Sequence, residues 1–207
     1  MKNISRLHIM IAIVSLSLLA ACATTKIQSV WSDASYQGGP LLKVFVMGLA
    51  KDQILKRLYE DEFVSQLKQR DVQAFPSYSV IPQEKMGDES YIRDKIKELG
   101  ADASIVTRLV DSKTVQKYYP PEMYYVPPPY YRGWQGYYMN SYQYMSSPGY
   151  TTTEQTVVLE TNVYSTQNDQ LIWSALSETF VEGSAKGLIN SLVNKLVDDM
   201  SAKNLLP

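Results

Sequence analysis

Histidine and cysteine are nearly absent from this chain of 207 residues, in which His8 and Cys22 are the single examples. One cysteine can form no internal disulfide, and a zinc site built from cysteine and histidine is out of reach. No Gly-x-Ser-x-Gly elbow occurs, no phosphate-cradling glycine loop followed by Lys-Ser or Lys-Thr, and no Asp-x-Asp-x-Asp-Gly calcium loop. The usual signatures of serine hydrolases, nucleotide binders and calcium-binding loops are therefore missing. Neither sign of charge dominates, since 20 bases stand against 21 acids with no basic stretch, which argues against nucleic acid as a partner. Long apolar runs are lacking too, and none reaches the roughly 20 residues that a membrane-crossing helix needs. What remains is 45% hydrophobic and 20% charged, the composition of one globular domain with a real core.

The amino terminus departs from that average. Lys2 and Arg6 precede an apolar run from Ile9 to Leu19, and Ala20 and Ala21 lead into Cys22. This order of charge, apolar run and small residues is a secretion signal. Leu19-Ala20-Ala21-Cys22 resembles the lipobox of bacterial lipoproteins. The resemblance implies cleavage between Ala21 and Cys22, a diacylglycerol thioether on the cysteine and an acylated new amino terminus. Two or three acyl chains, at about 0.8 kcal/mol per buried methylene, hold a soluble domain on a membrane essentially permanently. Ala23 follows the cysteine, and in Gram-negative lipoproteins the absence of aspartate there favours the outer membrane with the domain facing the periplasm. A Gram-positive cell-surface lipoprotein is the alternative address.

Cleavage would also remove His8, leaving a mature protein with no histidine and its only thiol capped by lipid. A serine nucleophile would then lack its histidine base and a thiolate nucleophile would not exist. Carboxylate catalysis on glycosidic bonds survives, because it needs no histidine. The available acids are poorly placed for it. Asp61 with Glu62 and Asp198 with Asp199 are neighbours on expected helices, where adjacent side chains diverge, and Glu160 and Glu178 fall on expected strands. All six read as solvated surface. No catalytic residue, metal site or cofactor is expected, and the chain is read as no enzyme.

The organisation reads as a signal peptide over 1–21, a lipidated tether over 22–40 and a single α/β domain over 41–207. Leu41 to Leu49 is a short apolar run suited to an inner strand. Asp52 caps a helix carrying Ile54, Leu55, Leu58, Tyr59, Phe63 and Leu67 at spacings of three and four. Val72 to Val80 reads as a strand interrupted by Pro76, hence an edge or an ending, and Pro82 to Asp88 as a turn region. A second helix runs from about Glu89 to Leu99 and stops at Gly100, and a strand resumes from Ala103 to about Gln116. Thr156 to Tyr164 and Leu171 to Phe180 alternate as a hairpin across Gln167-Asn168-Asp169, with Leu171, Trp173 and Ala175 sharing its inward face. Ser184 caps a last helix with Leu188, Ile189, Leu192, Val193, Leu196, Val197 and Met200 on one stripe.

The order strand, helix, strand, helix, strand, hairpin, helix predicts a two-layer α/β sandwich. Its mixed sheet has about five strands, with three helices mainly on one face and right-handed crossovers. Leu99-Gly100-Ala101-Asp102-Ala103 with Ile105 and Val106, and Gln170-Leu171-Ile172-Trp173-Ser174, resemble periplasmic lipoprotein domains of unknown function and the domain at the amino end of TolB. The likeness spans Leu41 to Leu206. It implies a scaffolding or accessory role in the cell envelope and brings no catalytic residues.

Between the third strand and the hairpin lies a Tyr/Pro-rich insertion over 118–150, holding 11 of the 16 tyrosines and 6 of the 10 prolines. Its prolines oppose regular helix and central strand, and a loop this long is usually functional or disordered. One reading makes Tyr124, Tyr125, Tyr130, Tyr131, Trp134, Tyr137 and Tyr138 a binding surface, because tyrosine offers a flat apolar face, a polar tip and little side-chain entropy to lose. An envelope protein, a glycan or lipid headgroups would be its partner. The other reading is a low-complexity loop whose flanking tyrosines lengthen the neighbouring strands into a protruding hairpin. The function expected is non-enzymatic binding or scaffolding, with a carbohydrate-binding or carboxylate-dependent glycan-active protein as the alternative.

Overall fold

The computed structural model describes residues 25–120, 133–139, 149–181 and 183–207. The elements run β1 (Thr25–Ser32), β2 (Lys43–Leu49), α1 (Gln53–Lys68), β3 (Gln73–Pro76), the single turn α2 (Ser77–Val80), a 3-10 turn (Gln83–Lys85), α3 (Glu89–Leu99), β4 (Ala103–Tyr119), β5 (Tyr150–Ser165), β6 (Leu171–Phe180) and α4 (Ala185–Ala202). Six strands form one mixed sheet in the order β1-β6-β5-β4-β2-β3, which is the α/β class that the sequence predicts. Strand β2 pairs parallel with β3 and β4, and the remaining pairs are antiparallel.

The helix ends follow local chemistry. Asp52 accepts hydrogen bonds from the backbone N–H groups of Ile54 (2.8 Å) and Leu55 (3.1 Å), satisfying donors that the first turn of α1 leaves unpaired. Asp88 does the same for α3 through Tyr91 N (3.1 Å), and Ser184 for α4 through Gly187 N (3.2 Å). α3 stops at Gly100, whose φ of +62° is the left-handed conformation in which a Cβ is costly. In β2, Val44 to Gly48 are buried without alternation, as an inner parallel strand covered on both faces must be.

Connectivity decides which face each helix covers. β3 lies on one side of β2 and β4 on the other, so two right-handed crossovers travelling in opposite directions put α1 and α3 on opposite faces. The main core accordingly joins Phe63 and Leu67 of α1 and Leu196 and Met200 of α4 to Val44, Val46, Ile105, Val163 and Trp173 of the sheet. A smaller cluster on the other face joins Phe45, Met47, Ile81 and Ala101 to Tyr91, Ile92 and Ile96 of α3. Trp173 is fully buried, and its indole N–H donates to Asp199 Oδ1 at 2.9 Å.

The structure corrects several expectations. Residues 25–32, assigned to a tether, form β1, a sixth strand paired antiparallel to β6 from Thr25↔Thr179 to Ser32↔Trp173. A bulge between Ile27 and Ser29 breaks its alternation, so the stretch shows no strand period. The second strand ends at Pro76 and the next four residues turn into helix. Leu171 is only half-buried while Ile172 is buried, because the register shifts between Val163 and Tyr164. In α1, Ile54 and Leu55 are exposed and the buried stripe is Lys56, Tyr59, Glu60, Phe63, Val64 and Leu67.

Candidate functional site

The hairpin strands β4 and β5 are far longer than their neighbours. They pair from Ala103↔Ser165 to Tyr119↔Tyr150 with one bulge between Leu109 and Asp111, but β2 leaves β4 after Arg108 and β6 pairs with β5 no further out than Thr156. The last six pairs, Thr114↔Gln155 to Tyr119↔Tyr150, form a two-stranded ribbon extending about 20 Å beyond the sheet. The register sorts its side chains. One face carries Lys113, Val115, Lys117 and Tyr119 with Thr156, Glu154, Thr152 and Tyr150, and the other carries Ser112, Thr114, Gln116 and Tyr118 with Val157, Gln155, Thr153 and Thr151. The first is charged and the second is uncharged.

Aromatic contacts hold the outer end together. Tyr119 and Tyr150 stack with centroids 5.1 Å apart and planes 13° from parallel. Lys117 lies 5.2 Å above the Tyr119 ring and 3.9 Å from the Glu154 carboxylate. Tyr118 covers the backbone of Gly149 so closely that no Cβ fits there. Of the surface expected in the insertion, Trp134, Tyr137 and Tyr138 share a helical turn at 134–139 and are exposed, with Trp134 stacked on Tyr138 at 5.4 Å and 11°. Tyr124, Tyr125, Tyr130, Tyr131 and the lipidation pair Ala21 and Cys22 lie outside the described residues.

A second constellation was missed by sequence reasoning. Lys56, Glu60 and Ser77 are 3%, 0% and 0% exposed. Lys56 Nζ donates to Glu60 Oε1 (2.6 Å) and to Ser77 Oγ (2.5 Å), and Ser77 Oγ donates to Glu60 Oε1 (2.7 Å). Backbone N–H groups of Gly48 (2.9 Å) and Tyr78 (3.2 Å) complete the carboxylate. A serine beside a lysine invites comparison with nucleophilic catalysis, but the ammonium and the hydroxyl proton are both directed at Glu60 and no surface reaches them. The cluster instead ties α1 to the end of β2 and the start of α2. Its trace in the sequence is Lys56 and Glu60 at i and i+4, in phase with Phe63, Val64 and Leu67. Beside it, the Tyr59 hydroxyl meets Thr107 Oγ1 at 2.5 Å, and burial pushes its pKa up.

The six acids expected at the surface divide. Asp61 and Asp198 are exposed, whereas Glu62, Glu160, Glu178 and Asp199 are half-buried and engaged by Asn190, Arg108, Gln28 and Trp173 respectively. Between α3 and the turn after β5 lies a groove lined by Ile92, Arg93, Ile96, Ser104, Thr166 and Asp169. Arg93 there is ion-paired to Glu89 (2.6 Å) and Asp169 (2.8 Å). Among the described residues no group of three or more His, Cys, Asp or Glu side chains could hold a metal ion, and no helix is long and apolar enough to cross a membrane.

No protein-family description matches the chain, and no curated protein matches it. Solved structures show a distant likeness, two of them as follows. The PelC dodecamer from Paraburkholderia phytofirmans is 13% identical, covering 84% of this chain and 95% of that one, with a TM-score of 0.44. The lipoprotein GNA1162 from Neisseria meningitidis is 15% identical, covering 77% and 98%, with a TM-score of 0.41. Likenesses this distant carry no inference about what the chain binds or how it assembles. The fold itself is α/β, and the site stands on its own residues.

Proposed function

We propose that this is a lipid-anchored outer-membrane protein of the cell envelope, facing the periplasm, that works by binding and not by catalysis. Its contact surface is the aromatic end of the β4–β5 ribbon and the insertion that the ribbon carries, and its partner is an envelope protein or glycan. The observation that carries the reading is exposed aromatic surface in this part of the chain: six strand pairs project past the sheet with Tyr118 and Tyr150 at 60–62% exposure, and the segment joining the two strands carries Trp134, Tyr137 and Tyr138 at 49–78% exposure. Exposed aromatics grouped in this way mark binding surfaces more often than isolated ones do. The lipobox supports the address, and the position of β1 sharpens it. Only three residue steps separate Cys22 from Thr25, a reach of about 10 Å, so the β1 edge of the domain would rest close to the headgroups.

Deleting residues 124 to 144 tests the reading. The melting temperature should stay within a few degrees of wild type, while crosslinking pull-downs from intact cells lose the envelope component that the full chain recovers. A large fall in melting temperature, or recovery unchanged, would overturn it. The glycan alternative draws on the stacked pair of Trp134 and Tyr138, a flat platform of the kind that sugars pack against. It predicts co-sedimentation with isolated cell-wall sacculi that Trp134→Ala abolishes.

A further inference from the structure

We infer that the end of the sheet from which the ribbon springs faces the bilayer, and that an apolar collar at this end, made by Leu49, Ile54, Leu109, Val110 and Phe180, sits in the lipid interface. The inference rests on the lipid anchor proposed at Cys22 and adds which surface of the domain meets the membrane.

Chain direction fixes where the anchor emerges. β1 runs antiparallel to β6, β6 to β5 and β5 to β4. Thr25, the first residue of β1, lies opposite Thr179, Thr179 opposite Val157 and Val157 opposite Ser112, so the strand begins level with the base of the ribbon. Cys22 stands three residue steps before Thr25, a reach of about 10 Å, while β1 leads away from this end for about 25 Å. So short a link cannot carry the anchor round to the far end of the domain, and a ribbon pointing away from the membrane is excluded. Directed at the membrane, the ribbon lies along the headgroup layer, because Lys113, Lys117 and Glu154 bar it from hydrocarbon. Tyrosine, with an apolar ring and a polar tip, suits that layer.

The side chains at this end suit a lipid interface. Leu49 ends β2, Ile54 stands in the first turn of α1, Leu109 and Val110 lie where β4 leaves the sheet, and Phe180 ends β6, all at 39–72% exposure. α1 is inverted here, exposing Ile54 and Leu55 while burying Lys56 and Glu60. Packing of a domain surrounded by water favours the opposite choice. Among the described residues, the far end carries the exposed charges Lys43, Asp71 and Asp102, and its exposed Leu42 and Trp31 stand apart, one before β2 and one on β1. Apolar side chains gathered at one end mark a contact surface, and the short link to Cys22 makes the bilayer the surface they reach. Interfacial segments bury such side chains about 5 to 10 Å into the boundary of headgroups and acyl chains.

The experiment places an environment-sensitive fluorophore on one introduced thiol at a time, in the lipidated full-length protein reconstituted into phosphatidylethanolamine and phosphatidylglycerol vesicles. With Cys22 capped by lipid, Ile54→Cys, Leu109→Cys and Leu42→Cys each carry a single free thiol. All three sites are more than half exposed, so the fold tolerates the label, and circular dichroism confirms it. Emission from positions 54 and 109 should shift to the blue on reconstitution and fall about twofold or more when the vesicles contain lipid with a nitroxide headgroup. Emission from position 42 should do neither. Deleting 124 to 144, which removes the insertion and leaves the collar, should leave the quenching at 54 and 109 unchanged. Quenching at 42 equal to that at 54 and 109, no quenching at 54 and 109, or its loss in the deletion form overturns the proposal, in protein that floats with the vesicles and has the mass of the lipidated chain. An unmodified mass at Cys22 overturns the anchor itself, and this proposal with it.

Discussion

Replacing Lys56 by methionine should cost this fold far more than a surface lysine would. Methionine keeps most of the side-chain volume, so packing changes little, but it removes the ammonium that lies 2.6 Å from Glu60 Oε1 and 2.5 Å from Ser77 Oγ. Glu60 is completely buried, and its remaining donors are Gly48 N, Tyr78 N and the Ser77 hydroxyl. None of these is charged. Stranding one member of a buried ion pair costs about 3 to 5 kcal/mol, which for a protein of this size lowers the melting temperature by roughly 6 to 20 °C. Adding Glu60→Gln to the same chain should recover part of the loss. A neutral amide oxygen still accepts from Gly48 and Ser77, and the residual cost is that of one poorly matched polar group, about 1 to 3 kcal/mol. Urea unfolding of wild type, single and double variants measures all three. If Lys56→Met costs under about 1 kcal/mol, or the double variant is less stable than the single one, the assignment of Lys56 as the counter-charge of Glu60 is wrong.

Gly100→Ala should destabilise by about 1 to 2 kcal/mol in the same assay, because φ at this position is +62° and an L-residue there brings Cβ against the following carbonyl. Asp88 should contribute to acid unfolding. Hydrogen bonds from Tyr91 N, Lys85 and Ser90 hold its carboxyl at about 2, below the ordinary 3.8. A depressed folded-state value means stabilisation that is complete above 3.8 and lost as pH falls through 2. Asp88→Asn, which still caps α3, should flatten the stability profile between those two values, and an unchanged slope would contradict the assignment. Cys22→Ala should move the protein from the membrane fraction to the soluble periplasm; if it stays with the membrane, another segment holds lipid.

Sequence reading found the caps at Asp52 and Ser184 and the stop at Gly100, because each rests on one residue acting within a single turn, while Asp88, placed in a turn region, proves to cap α3. Periodicity found the α4 stripe because the spacing of three and four persists through the helix. β1 escaped it, since a strand over Thr25–Ser32 is legible only if alternation survives, and the bulge at Ile27/Ser29 destroys it. The buried stripe of α1 was misplaced in its first turn because apolar content favoured Ile54 and Leu55, while burial went to Lys56 and Glu60. A charged pair inside a core is paid for by partners distant in sequence, here Ser77 and Gly48, which no helical pattern reveals. The extension of β4 and β5 was readable in outline as tyrosines lengthening the flanking strands. Its register, and hence the separation of a charged face from an uncharged one, came only with the pairing.

Contact between the aromatic residues of the ribbon and its insertion and another envelope component can be measured directly. A photo-reactive amino acid placed at Trp134, which is 78% exposed, reports on that contact in living cells. A discrete covalent adduct should form after illumination and be absent when the same group replaces Gln53 at the start of α1 on the body of the domain. Illumination that gives no adduct from position 134, or the same products from both positions, would contradict it.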